Sequence, residues 1–298
     1  MENRVTHIPV MYKEVLENLC LKEGDCVVDC TIGTAGHAMG IMSAVGSHGY
    51  LIGIDRDEES LAMAQEKLKD LNGRYRLIQS DFRSIDQILE KEGIQKVDGM
   101  LFDLGISSYQ LENPQRGFSL KLEGPLDMRM DKKSYISAYD LVNSLSEQEI
   151  ASILRNFGQE RWHNRIARYL VQQREKNPIE STKDLSDTVL KAIPHRYKNQ
   201  RIHPATRTFQ AFRIAVNREL EALEMVMGKC IRYLKVGARL CVISFHSLED
   251  KIVKEKFRYF AKEETLKLIT KKPLRPTEHE IEENPRARSA RLRVAEKI

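Results

Sequence analysis

The sequence predicts an α/β protein: a Rossmann-like parallel sheet covered by helices on both faces and interrupted by a helical insert. Three observations support this. Short apolar runs alternate with amphipathic helical stretches through the first hundred residues. Four of the runs end in, or are soon followed by, an aspartate. The next core strand comes only after about 130 residues, far more than a βα crossover needs.

The elements read in order as follows. Cys26-Val-Val-Asp-Cys-Thr31 is a strand that opens into a glycine loop, and 35–46 is a helix. Tyr50-Leu-Ile-Gly-Ile-Asp55 is the second strand, and 57–71 is an amphipathic helix. A strand at 75–79, a helix near 84–92 and the strand 97–103 complete the first half. Alternation of this kind buries both faces of a parallel sheet. Within the gap, 146–157, 160–176 and 181–192 read as helices, and 206–234 as one long helix. A strand at 239–245, a helix at 248–262 and late strands at 266–271 and 291–295 follow. The polar segment 271–289 carries three prolines and reads as an extended loop. The resulting division is 1–111 for the first part of the core, 112–205 for an inserted helical module, and 206–298 for the second part with a basic C-terminal segment.

The chain has 298 residues, 41% of them hydrophobic, and a net charge of +5. Residues 1–115 hold 11 Lys/Arg against 19 Asp/Glu, a balance of −8, whereas 116–210 hold 17 against 11 and 251–298 hold 14 against 8, each +6. An acidic half joined to basic stretches fits a small-molecule site beside a polyanion surface, although solvated surface lysines give the same counts. No apolar run approaches the ~20 residues of a membrane span, and Met1 to Val10 lacks the form of a secretory signal. Five cysteines without a C-x-x-C pair fit reduced, buried thiols, hence a cytoplasmic protein.

Asp29, Asp55, Asp81 and Asp103 are spaced by 26, 26 and 22 residues, one βα unit each. In a parallel sheet they share the edge where ligands bind. The loop Thr31-Ile-Gly-Thr-Ala-Gly-His37 allows close backbone approach, and Asp55 stands where an acid accepts ribose hydroxyls. A nicotinamide dinucleotide would call for G-x-G-x-x-G and for positive charge at the helix start. The middle glycine is missing, and four carboxylates line the rim. The cationic ligand S-adenosyl-L-methionine (SAM) suits them better, with Asp81 offered to the adenine amine and Phe82 to its ring. No metal-ligand pattern is read.

The residues resemble the ribosomal RNA small subunit methyltransferase H (MraW) family along nearly the whole chain. The matching strings are His7-Ile-Pro-Val-Met, Gly33-Thr-Ala-Gly-His37, Ile54-Asp-Arg-Asp57, Asp103-Leu-Gly-Ile-Ser-Ser108 with Gln110, and Arg116-Gly-Phe-Ser119. They continue with Gly124-Pro-Leu-Asp-Met-Arg-Met-Asp131, His203-Pro-Ala-Thr-Arg-Thr-Phe-Gln210, Ile243-Ser-Phe-His-Ser-Leu-Glu-Asp250 and Asn284-Pro-Arg-Ala-Arg288. The resemblance implies a class I SAM methyltransferase that methylates N4 of a cytidine in the decoding region of 16S rRNA, within the small ribosomal subunit. It implies that Gly33, Ala35, Gly36, His37, Asp55, Phe82, Asp103 and Gln110 form the SAM site. Ala35 stands where the family usually has glycine, and Tyr109 where it usually has proline.

Position assigns catalysis to Asp103, Ser107 and Ser108, with His246 as a second candidate or, alternatively, a structural cap of the following helix. The acid-free stretch 191–207 supplies Arg196, Lys198, Arg201, His203 and Arg207 for RNA, or is plain solvated surface. An oxidoreductase is disfavoured by the missing fingerprint. A non-enzymatic RNA-binding protein is disfavoured by a cofactor loop that departs only at Ala35. Monomer and homodimer both stay open.

Overall fold

The computed structural model describes residues 9–71, 73–197 and 202–298, without the side chain of Arg196. The strands are β1 (Cys26–Asp29), β2 (Tyr50–Asp55), β3 (Arg74–Gln79), β4 (Val97–Asp103), β5 (Leu234–Ser244), β6 (Leu266–Leu268) and β7 (Arg291–Lys297). They form one sheet in the order β3-β2-β1-β4-β5-β7-β6. β1 to β5 run parallel, and β7 pairs antiparallel with β5 and β6. The chain winds outward from β1 to β3, then returns to β4 on the other side of β1. The β1/β4 boundary is therefore the switch point at which a doubly wound sheet opens a crevice.

Side chains alternate along each strand between two cores, as the period of two demands. Val28, Ile52, Met100, Phe102, Leu240 and Val242 face one core. Val27, Leu51, Leu101, Cys241 and Ile243 face the other. The helices are α1 (Tyr12–Leu19), α2 (Gly36–Val45), α3 (Glu58–Leu68), α4 (Ile85–Lys91), α5 (Ser108–Glu112), α6 (Ala138–Ser144), α7 (Glu147–Gly158), α8 (His163–Arg174), α9 (Thr182–Ala192), α10 (Thr206–Asn217), α11 (Glu219–Tyr233), α12 (Ser247–Lys262) and α13 (Glu278–Glu283). Of these, α4, α11 and α12 cover the first face, and α1, α2 and α3 the second. No described helix is long and apolar enough to cross a membrane.

Two compact units emerge, one of residues up to Gly105 with Leu220–Ile298, the other Ile106–Glu219. Serines at the starts of α6, α7 and α9 form reciprocal capping boxes with the acid three residues on. The helical unit has its own core, including Leu126, Leu154, Ile166, Leu185 and Phe212.

Several expectations need correction. The stretch 206–234 is two helices, because Arg218 takes a left-handed conformation at φ 50° and ends α10. Phe209, Ala211 and Phe212 of α10 join the helical core, so α10 belongs with that unit and not with the sheet. β5 begins at Leu234, five residues early, through an exposed segment containing Gly237 at φ +86°. The segment 271–289 contains α13 and a short 3-10 helix, where proline content suggested only loop. α1 was not foreseen.

The strings around 116–131 acquire a structural explanation. The Arg116 guanidinium is 1% exposed and donates to the Arg129 and Met130 carbonyls at 2.9 Å. Asn217 accepts from Met130 N–H and donates to Met128 O, both at 2.8 Å. Gly117 sits at φ +70°, and a Cβ there would lie 2.3 Å from the Pro125 carbonyl oxygen. Gly93 shares φ +70° but has nothing within 4 Å. The two glycines separate backbone strain from steric clash. Gly93→Ala should cost about 1 kcal/mol for the left-handed conformation. Gly117→Ala adds a backbone collision and should cost about 2–4 kcal/mol. Urea unfolding of both variants checks this; equal costs would mean that the turn at 116–128 yields freely.

Candidate functional site

The site grows from the ends of β1, β2 and β4. After β1 the chain turns through Gly33 and Ala35, both left-handed at φ 50° and 63°, and Ala35 caps α2. Gly33 N–H donates to Asp55 Oδ2 and Asp57 N–H to Asp55 Oδ1, each at 2.9 Å. One carboxylate thus fixes both loops, and each oxygen keeps acceptor capacity for a ligand hydroxyl. Burial raises the Asp55 pKa to about 6, against the pull of those two N–H bonds.

Asp29 lies beneath, 1% exposed, with Thr31 N–H donating to Oδ1 at 3.1 Å. Burial raises its pKa to about 7; His37 and the Thr31 bond pull it down, while Asp103 and Asp55 add to the rise. Asp103 ends β4, and its N–H donates to Thr31 Oγ1 at 2.6 Å. His37 is 4% exposed on the first turn of α2, with Tyr12 stacked on it at 6.0 Å. Its Nε2 stands 3.6 Å from Asp103 Oδ2, too far for a hydrogen bond. Both ring nitrogens of His37 and Asp103 Oδ1 are buried without a hydrogen-bond partner among the described residues. Buried polar atoms are costly unless something binds them. Acid-lined unpaired atoms at a switch point suit a ligand that carries positive charge and hydrogen-bond donors, and SAM is such a ligand.

Beside this cluster, Ser80 N–H donates to the Asp55 carbonyl. The Phe82 ring is edge-on to Phe102 at 5.6 Å with Arg56 5.4 Å from its centroid. Asp81, the acid offered to the adenine amine by its position, is ion-paired here: Arg56 and Arg83 each approach its Oδ2 at 2.7 Å.

The helical unit carries Ser107, Ser108 and Gln110. Ser107 caps α5: its Oγ accepts from Gln110 N–H and its own N–H donates to Gln110 Oε1. This gives Ser107 a structural task, and Gln110 is 3% exposed. His246, in the sheet unit, caps α12. Its Nδ1 accepts from Glu249 N–H at 3.3 Å, and Nε2 lies 3.2 Å from Glu249 Oε1. Of the two readings of His246, the structural cap is the one the geometry displays.

The basic stretch is seen only in part. Lys198 and Arg201 lie outside the described residues, as does the Arg196 side chain and the start of the string at His7. His203 and Arg207 are exposed. His203 Nδ1 accepts from Ala205 N–H, and Arg207 donates to the Gln159 carbonyl at 3.1 Å. Tyr197 packs on Trp162 at 5.4 Å, with Arg161 over both rings. Sequence reasoning passed over Asp29 as a buried acid, Thr31 as a ligand of the β4 end, and Tyr12 as the partner of His37.

Burial holds four of the five thiols protonated. Cys30, Cys230 and Cys241 are buried, and burial pushes each thiol far up. Cys26 is raised to about 11 for the same reason, and Cys20 is exposed at the end of α1.

Comparison with known proteins places the chain. The family model described as the MraW methylase family matches residues 4–298. Ribosomal RNA small subunit methyltransferase H of Halothermothrix orenii is 46% identical, covering 98% of each chain. The proteins of that name from Clostridioides difficile and Geotalea uraniireducens are 44% and 48% identical, covering 98% of this chain and 99% and 98% of theirs. Among solved structures, an rRNA methylase from Streptococcus thermophilus aligns at TM-score 0.43 and 12% identity over 96% of this chain and 93% of that one. Aeropyrum pernix fibrillarin with SAM aligns at TM-score 0.40 and 11% identity over 92% and 67%. The structural scores are too low to weigh; the sequence matches are not, and this chain belongs to the MraW methylase family.

Proposed function

We propose that this methylase uses SAM to methylate N4 of a cytidine in the decoding region of 16S rRNA. The reading rests on a family match that spans the chain, and its chemistry on the buried, unbonded atoms of Asp103 and His37 beside the acids at the β1/β4 boundary. SAM supplies an electrophilic methyl group and leaves as the neutral thioether. Gly33, Ala35, Gly36 and His37 offer the loop on which it rests. Asp55 accepts its ribose hydroxyls, Phe82 borders its adenine, and Gln110 is assigned to SAM by the family resemblance. Asp103 is the acceptor nearest the reaction: N4 gains the methyl and gives up a proton, which a carboxylate can take. Ser107 and Ser108 are assigned to holding the amine, Ser107 through its backbone since its Oγ caps α5. His246 is assigned to shaping the pocket as the α12 cap. Arg196, Lys198, Arg201, His203 and Arg207 are assigned to RNA phosphates and unpaired bases.

The acid cluster gives cofactor binding a pH signature. SAM favours ionised Asp29 and Asp55, whose pKa values are raised to about 7 and about 6. Below those values the carboxyls are neutral and must lose protons to bind a cation. SAM affinity should therefore rise with pH from about 5 to 7 and level above. Calorimetry in buffers of different ionisation heat should show proton release near pH 6. Asp55→Ala should weaken SAM by roughly tenfold to a hundredfold, the loss expected for hydrogen bonds to a charged group. Affinity flat across this range, and indifferent to Asp55→Ala, would remove Asp55 from the site.

The RNA assignment is tested separately. Replacing Arg196, Lys198 and Arg201 together by Ala should lower RNA affinity and flatten its salt dependence, with SAM affinity intact, since each phosphate contact releases counterions. A salt series that overlays the unmodified chain would leave the stretch as solvated surface.

The product decides the reaction. Methylation of ring carbon-5 needs a reactive thiolate, and the buried thiols are held protonated. Cys30→Ser should remain active, and mass spectrometry of nucleosides from RNA methylated by the chain should find N4-methylcytidine. Detection of 5-methylcytidine, or of a covalent RNA adduct through cysteine, overturns the mechanism.

A further inference from the structure

The cofactor loop is backed by a segment outside the sheet. Pro9, Val10 and Met11 run onto α1, and Val10 and Met11 are buried in the same core as Ala35 and Ala38. A Cβ on Gly36 would lie 2.6 Å from Pro9 Cγ, so proline rests directly on the loop backbone. Three residues on, Tyr12 stacks on His37. Met11 holds a left-handed conformation at φ 53°, and no side chain of its own caps α1. Its N–H donates instead to Glu280 Oε1 at 2.6 Å, across 269 residues of chain. Glu280 lies on α13, whose start Thr277 caps by accepting from Glu280 N–H at 3.1 Å. The segment that follows is anchored by Ala287, Ala290 and Leu292 in the core shared with Met11 and Ala35.

We propose that Glu280 is a positioning residue for SAM: a latch on α13 that holds the strap Pro9–Tyr12 against Gly36 and His37. A strained Met11 has a reason to relax once its N–H is released, and a carboxylate bond to that N–H is of the stronger kind. Burial raises the Glu280 pKa and Glu14 adds to the rise, while the Met11 bond and His37 pull it down. The carboxyl therefore also lies within electrostatic reach of the cofactor cluster. When the strap lifts, Gly36 loses its backing and His37 its stacking partner, and only the latched fraction binds SAM at full strength.

This inference rests on SAM binding at the β1/β4 boundary, so the unmodified chain must bind SAM in the same assay; failure there strikes the cofactor site and not the latch. Glu280→Ala should raise the SAM dissociation constant roughly tenfold, the loss of one hydrogen bond to a charged group. Glu280→Gln keeps an oxygen that can accept from Met11 N–H and should recover most of the affinity. Gln as weak as Ala would mean that Glu280 acts through its charge on SAM, and would overturn the latch; so would Ala binding as well as the unmodified chain. Should Glu280→Ala fail to fold, hydrogen exchange on the unmodified chain still decides. SAM should slow exchange in residues 9–19 and 277–284 together, and slowing in only one of the two segments, or in neither, overturns the proposal.

Discussion

Asp55 holds two loops with one carboxylate, and the rest of the cofactor site is arranged around that bond pair. Gly33 N–H reaches it from the β1 loop and Asp57 N–H from the β2 loop, each at 2.9 Å. The β1 loop is tied further by the Ile32 N–H to Ile54 carbonyl bond and by the Asp103 N–H to Thr31 Oγ1 bond. Desolvation makes Asp55 costly to ionise and raises its pKa to about 6. A cationic ligand offsets that expense, so the scaffold and the affinity draw on the same group.

The acids at the sheet edge, alike in sequence, are distinct in the structure. Asp81 is neutralised by Arg56 and Arg83. Asp29 is buried and raised to about 7. Asp103 has an oxygen without a partner, beside a histidine equally unpaired. Environment thus sorts one repeated residue into a structural ion pair, a buried titrating group and a free acceptor. The division separates the acid that is held in ion pairs from the one whose oxygen stays open to a ligand.

What the sequence made legible follows from periodicity and spacing. The strands at 26–31, 50–55 and 97–103 are apolar on both faces, so their runs announced a parallel sheet, and the 26-residue spacing of Asp29 and Asp55 announced a shared edge. Less was legible where long-range packing decides. Nothing local marks Arg218 as left-handed, so 206–234 read as a single helix. The fate of α10 depends on Phe209 and Phe212 meeting the helical core, which a helical pattern cannot reveal. Asp81 looked like Asp55 because its guanidinium partners come from Arg56 on another loop and from Arg83 two residues on. The bond from Met11 to Glu280 spans 269 residues, and no spacing rule could have paired them.

Ala35 shows how the magnitudes settle a departure. At φ 63° an alanine costs about 1–2 kcal/mol over the same residue in the right-handed region. Glycine avoids that strain but gives up about 0.5–1 kcal/mol of chain entropy. Here the methyl is fully buried in the core beside Val10, Met11 and Ala38, which returns about 0.8 kcal/mol. The terms nearly cancel, so the loop keeps its left-handed turn with a side chain that glycine would lack. The Ala35 backbone N–H remains bonded to the Ile32 carbonyl at 2.8 Å, and Gly36, the position pressed by Pro9, stays glycine. The loop tolerates a methyl where it faces the core and excludes one where the strap lies on it.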